Sequence, residues 1–230
     1  MSELFEKSIR VLELPRLLEM LEHHAVSAEA KARARRLTPS DDFGEVNRLL
    51  DETDAARKMI MLRGSPAFGG VRDVGEALSR AERGGMLNTR ELLDIAGLLT
   101  NVRRVQDYYK EDEEGTVIDK LFLSLHPNRF LEEKIKRAIP DEDTIFVEPM
   151  GVVQANNELK ELEAKEEKEI DRILYALSGE AASFSRDILW DYDILVHLDL
   201  IFARGELSYR MNAMRPELKK DGSCLLYTSD

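Results

Sequence analysis

The stretch NELKELEAKEEKEIDRIL, residues 157–174, constrains the fold more than any other. From Met150 to about Leu177 the pattern fits one helix of roughly 28 residues, about 42 Å long at 1.5 Å per residue. Only a narrow apolar line, Leu159, Leu162 and Ile170, runs through its Glu and Lys residues, with Glu161 and Lys165 at the supportive i,i+4 spacing. Such a helix is mostly solvated and acts as a strut. Ser178-Gly179 reads as a turn, and Phe184, Ile188, Leu195, Leu198 and Phe202 then recur at the spacing of a return helix that can lie antiparallel on the strut. A chain built around such an arm is an all-α protein.

The remainder agrees with that class. Pro15 suits a first helical turn followed by Leu17, Leu18, Leu21 and Ala25, and Ser27 caps a second helix that stops at Thr38-Pro39. Residues 42–63 form a third helix, with Phe43, Val46, Leu50 and Ile60 on or near one face, closed by Gly64. GSPAFGG, residues 64–70, is a shaped loop with Phe68 tucked inward. A short helix over 73–83 stops at Gly84-Gly85, and Asn88 with Glu91 forms a capping box opening a helix whose buried stripe is Leu92, Ile95, Leu99, Val102 and Tyr109. Two shorter helices follow, near 117–125 and 129–139. Against this background TIFVEP, residues 144–149, is an isolated strand-like hexapeptide without a partner strand.

Composition narrows the chemistry. The 230 residues are 43% hydrophobic, enough for a core, and carry a formal net charge of -12. That acidity predicts at most weak, salt-sensitive nucleic-acid binding, because a phosphate footprint needs a concentrated basic face. The best basic cluster is KARARR, in which Lys31, Arg33, Arg35 and Arg36 are the candidate nucleic-acid contacts. On a helix Lys31 and Arg35 share a side while Arg33 lies nearly opposite, so a salt-bridged surface is the competing reading. No phosphate-binding G-x-x-x-x-G-K-[ST] loop occurs, and His23, His24, His126, His197 and Cys224 have no metal-ligand spacing. The acidic runs 141–144 and 166–171 invite a metal-dependent nuclease reading, but solvated helix faces account for them without a companion Lys or His. No catalytic, cofactor or metal residue is therefore assigned. The absence of an apolar run of membrane-spanning length and of a signal-type N-terminus points to the cytoplasm, without a membrane partner.

Four ordered stretches, LELPRLLEMLEHHAVSAEAK, GSPAFGGVRDVGEALSRAERGGMLNTRELLDIAGLL, FVEPMGVVQANNELKELEAKEEKEIDRIL and LDLIFARGELSYRMNAMRPEL, together reach from Leu12 to Leu218. They resemble the bacterial MutS-two family, the MutS paralogue that lacks the mismatch-reading domain. The resemblance implies a helical core and lever region between a DNA-embracing clamp and an ATPase domain, with a Smr nuclease domain beyond. It implies ATP and Mg as cofactors of the whole protein, a homodimer, and DNA and the ribosome with its rRNA as partners, in suppression of recombination and rescue of collided ribosomes.

Two departures qualify it. The stretch AIPDEDT is fused to FVEPM, where the family carries further lever helices and most of a strand-rich clamp, which makes TIFVEP a junction without a full set of strand partners around Ile145–Pro149. The family's ATPase would follow RPELKKDG, where this chain instead continues into CLLYTSD, which reads as a translated sequencing-adapter scar. The expected organisation is a helical core and lever portion over 1–145, a lever helix and return helix over 146–221, and a non-native tail over 222–230, non-catalytic as a whole. A free-standing helical protein-interaction module is the alternative.

Overall fold

The computed structural model describes residues 11–110, 115–140 and 157–218, the side chains of 157–165 excepted. The junction around Ile145–Pro149, the start of the strut from Met150, the side chains of Leu159, Leu162, Glu161 and Lys165, and the tail with Cys224 lie outside the described residues. Every regular element among the described residues is a helix: α1 Leu14–His24, α2 Ala28–Arg35, α3 Phe43–Arg63, α4 Gly75–Glu82, α5 Thr89–Tyr108, α6 Asp119–Leu123, α7 Arg129–Ala138, α8 Asn157–Ser183 and α9 Ser185–Arg210. The all-α reading holds. The described residues group into two compact units, one from 11–65, 115–120 and 198–218, the other from 66–110, 121–140 and 157–197. Each draws on residues from both sides of the 145/146 division.

In the first unit, α1 carries Pro15 in its first turn and packs on α2. Ser27 caps α2 by accepting from the Ala30 N–H at 3.3 Å, and Asp42 caps α3 by accepting from Glu45 N–H at 2.9 Å. The buried face of α3 differs from the expected one. Phe43 is 38% exposed and Val46, Leu50 and Ile60 are half-buried, whereas Glu52, Ala55, Ala56 and Met59 are buried. Gly205 of α9 is the reason: a Cβ there would lie 3.1 Å from Ala56 Cβ and 3.2 Å from the Arg57 nitrogen, so the helices meet almost backbone to backbone through small residues. The end of α9 is closed by Asn212 at φ 48, with Ala213 N–H returning to the Ser208 carbonyl and Asn212 N–H to that of Tyr209, the left-handed C-terminal motif.

In the second unit, α5 packs on α7 and α8, α4 on α8, and α7 on α8. The core is built from Leu78, Leu87, Leu92, Ile95, Leu98, Leu99, Val102, Phe122, Leu131, Ile135, Ile188 and Leu195. The capping box forms, Asn88 accepting from Glu91 N–H at 2.9 Å and Glu91 accepting from Asn88 N–H at 3.0 Å. Phe68 is buried, as expected of the GSPAFGG loop.

The turn expected at Ser178-Gly179 is absent, and α8 runs on to Ser183. The Ser178 hydroxyl donates to the Leu174 carbonyl one turn back at 2.6 Å and accepts from the Leu87 N–H at 2.7 Å, so it is satisfied inside the helix. Phe184 alone separates α8 from α9. It donates to the Ala181 carbonyl and its own carbonyl accepts from Ile188 N–H, so helical bonding continues on both sides. One residue is shorter than the roughly two to five that link antiparallel helices.

Candidate functional site

The basic cluster lies on α2, whose start is fixed by one buried carboxylate. Asp199 of α9 accepts from Val26 N–H at 3.0 and 3.1 Å, from Ser27 N–H at 2.6 Å and from the Ser27 hydroxyl at 2.7 Å. Burial pushes the Asp199 carboxyl above its ordinary value, against the pull of the Ser27 and Val26 bonds and the Lys31 charge. Downstream, Arg33 reaches back to Glu29 at 3.3 Å and Arg35 forms a two-pronged pair with Glu22 of α1. The Arg35 bonds hold the Glu22 carboxyl below its ordinary range. Lys31 is half-exposed, and Arg36, the C-terminal cap residue of α2, is exposed. The structure thus places Lys31, Arg33 and Arg35 on α2 and Arg36 at its C-terminal cap, and Arg33 and Arg35 pair with carboxylates.

A second charged cluster, which sequence reasoning missed, lies at the α5–α7 seam around a buried carboxylate whose cationic partners are partly exposed. Glu132 is 3% exposed; its oxygens accept from Arg103 Nε and Nη2 at 3.1 Å each, Lys136 Nζ at 2.8 Å and Thr100 Oγ1 at 2.9 Å. Burial alone would raise this carboxyl, but those donors override it and bring it down to about 2.

A third buried carboxylate is the converse. Asp191 of α9 is fully buried, and its Oδ1 accepts from His126 N–H at 2.9 Å and lies 3.3 Å from His126 Nδ1. Its Oδ2 is buried with no hydrogen-bond partner among the described residues. Burial pushes this carboxyl up to about 6, with the His126 bonds opposing and the Asp187 charge assisting. Both aspartates interrupt the run ILWDYDILVHLDLIFA; a helix apolar on all sides is a buried one, and that was the signal available for them.

The first unit also holds an apolar groove of about 570 Å³ between α1, α3 and the end of α9, lined by Leu14, Leu17, Val46, Leu50, Leu207 and Met211 among others. The half-buried face of α3 opens onto it. Among the described residues no group of three or more His, Cys, Asp or Glu is placed to hold a metal ion, and no helix is long and apolar enough to cross a membrane. Of the histidines, His24 lies 3.1 Å from Glu206 and His126 is held by Asp191.

No protein-family model matches the chain. Individual proteins do. The Endonuclease MutS2 of Clostridium botulinum strain Alaska E43 is 30% identical over 295 residues, covering 94% of this chain and 38% of the relative. Those of Alkaliphilus metalliredigens and Acetivibrio thermocellus are each 28% identical, over 298 and 302 residues, covering 95% and 96% of this chain and again 38% of the relative. Each matched stretch is longer than the 230-residue chain, so each relative carries internal residues that this chain lacks, in agreement with the omission implied by the fused stretches. The chain spans 38% of the length of the curated relatives it matches. By sequence, then, this is a partial MutS2-like chain, similar to those endonucleases over nearly all of its own residues.

Proposed function

We propose that the chain supplies the non-catalytic lever and core of a MutS2-type protein. The observation that carries this reading is the pair α8 and α9, 27 and 26 residues long, each spanning about 40 Å at 1.5 Å per residue. Residues 185–197 of α9 belong to one compact unit and 198–210 to the other, so one helix contributes to both. Long helices suit an element that transmits displacement between a nucleotide-binding part and a nucleic-acid-binding part. In the longer protein the partners would be branched DNA and the collided ribosome with its rRNA, the cofactors ATP and Mg, the assembly a homodimer and the compartment the cytoplasm. The endonuclease activity named for the relatives would reside outside the matched stretch.

The purified chain is then expected neither to hydrolyse ATP nor to cleave DNA above a control lacking it; turnover of either substrate that co-purifies with the chain would overturn this. Its affinity for branched DNA should be weak and fall steeply with salt, given the net charge of -12 and the acid-paired Arg33 and Arg35. Fluorescence anisotropy giving submicromolar binding at physiological salt would contradict it. The open groove of the first unit favours a second reading, a helical protein-interaction module. Sequencing the locus separates the two: a phosphate-loop reading frame downstream supports the lever, and a native stop codon after Leu218 supports the module.

A further inference from the structure

Between α6 and α7 the chain runs through Ser124, Leu125, His126, Pro127 and Asn128, and it is held to α9 at two adjacent residues. Trp190 Nε1–H donates to the Ser124 carbonyl at 3.2 Å, and Asp191 accepts from the His126 backbone and faces its ring. A carboxylate can only accept, so ring Nδ1 carries the hydrogen in that contact. The Asp191 carboxylate has an unusual position: it is wholly buried, all its described donors come from one residue, and Oδ2 has none. The charged groups acting on it are His126 from the loop and Asp187 one turn earlier on its own helix. The His126 ring is half exposed and therefore free to leave.

We propose that Asp191 and His126 form a proton-operated latch, in which protonation of the buried carboxyl releases the His126 ring and loosens the 124–128 loop from α9. The proton goes to the carboxyl and cancels the buried charge, Oδ2 being the oxygen without a competing donor. The ring then loses its anionic acceptor and turns to water, and the loop's hydrogen bonds to α9 are then the neutral ones from His126 N–H and Trp190, while Gln106 Nε2 still donates to the Leu125 carbonyl at 3.4 Å. Loss of the proton restores the anion and draws the ring back. The carboxyl's position at about 6 sets where this happens.

The chain has one tryptophan, Trp190, which stands at the latch and reports on it directly. Its emission is followed from pH 8 to 4.5 in the intact chain, together with amide exchange at Leu125, His126 and Asn128 corrected for intrinsic rates. The unsubstituted protein should show one transition near pH 6, with exchange at those amides rising roughly tenfold, the size that loss of one charge-assisted hydrogen bond supports. Asp191→Asn should show fast exchange at every pH. His126→Gln should remove the pH-dependent step in exchange while leaving the far-ultraviolet circular dichroism unchanged. Corrected exchange that stays flat across the range, or an Asp191→Asn profile matching the unsubstituted protein, would overturn the latch.

Discussion

Glu132 and Asp191 are carboxylates sealed in the same helical unit, and their protonation is displaced in opposite directions. Glu132 is met by a guanidinium, an ammonium and a hydroxyl, and its carboxyl falls to about 2. Asp191 is met by one histidine, keeps an unpartnered oxygen, and rises to about 6. Burial raises both, so the number and charge of the donors decide the sign. The consequence for stability is equally opposed. A carboxyl lowered in the folded state adds stability above its unfolded value that is lost as pH falls through the folded value. A raised one favours the folded state at low pH and loses that contribution as pH climbs through the folded value.

The largest effect should come from emptying the Glu132 cluster. Glu132→Ala removes the shared acceptor of Arg103, Lys136 and Thr100, but both cations are partly solvated and Thr100 keeps the Ala96 carbonyl, so it should cost about 3 kcal/mol, read by urea unfolding of the second unit through Trp190 fluorescence. A cost near zero would mean that the cluster is solvated despite its burial. The next effect is the acid limb. Between pH 4.5 and about 2 the unit should lose about 3 kcal/mol as Glu132 takes its proton in the unfolded but not the folded chain. Glu132→Gln should lack that limb, and an unchanged limb would assign it to another group.

Little of this comparison was legible in the sequence, although most of the fold was. The caps Ser27, Asp42 and Asn88, the Gly84 stop and the Leu92, Ile95, Leu99 and Val102 stripe of α5 follow from local rules, because each joins residues three or four apart, whereas Tyr109, expected in that stripe, is half-buried and caps the helix end. Ser178-Gly179 misled for the opposite reason: the partner that keeps Ser178 in the helix is Leu87, 91 positions away. The face of α3 misled because burial there depends on Gly205 and on Arg204, which pairs with the buried Glu52. Glu132 sits in a charged helix and looks like part of a solvated face until Thr100 and Arg103 are set beside it. The basic cluster on α2 could be located, but the pairing of Arg35 with Glu22 on another helix could not.

Asp191 offers a way to reverse the sign seen at Glu132. As pH rises from about 4 to beyond 6 its ionisation should cost the second unit close to 3 kcal/mol. Asp191→Asn cannot ionise, so its stability relative to the unsubstituted protein should improve steadily over that window. Urea midpoints at pH 4, 6 and 8 test this, and a difference that stays constant with pH would remove Asp191 as the titrating group.

Asp199 in the first unit extends the comparison, since it is buried like Asp191 but receives bonds from Ser27 and Val26 on both oxygens. Ser27→Ala removes one of those donors and the side-chain cap of α2 together, and should cost about 1 to 2 kcal/mol. The backbone N–H groups of residues 26 and 27 still reach the carboxylate, so the loss should stay below that of Glu132→Ala. Amide exchange in α2 is the appropriate measurement, because Trp190 reports on the other unit. A loss as large as that of Glu132→Ala would show that Asp199 depends on the hydroxyl rather than on the backbone.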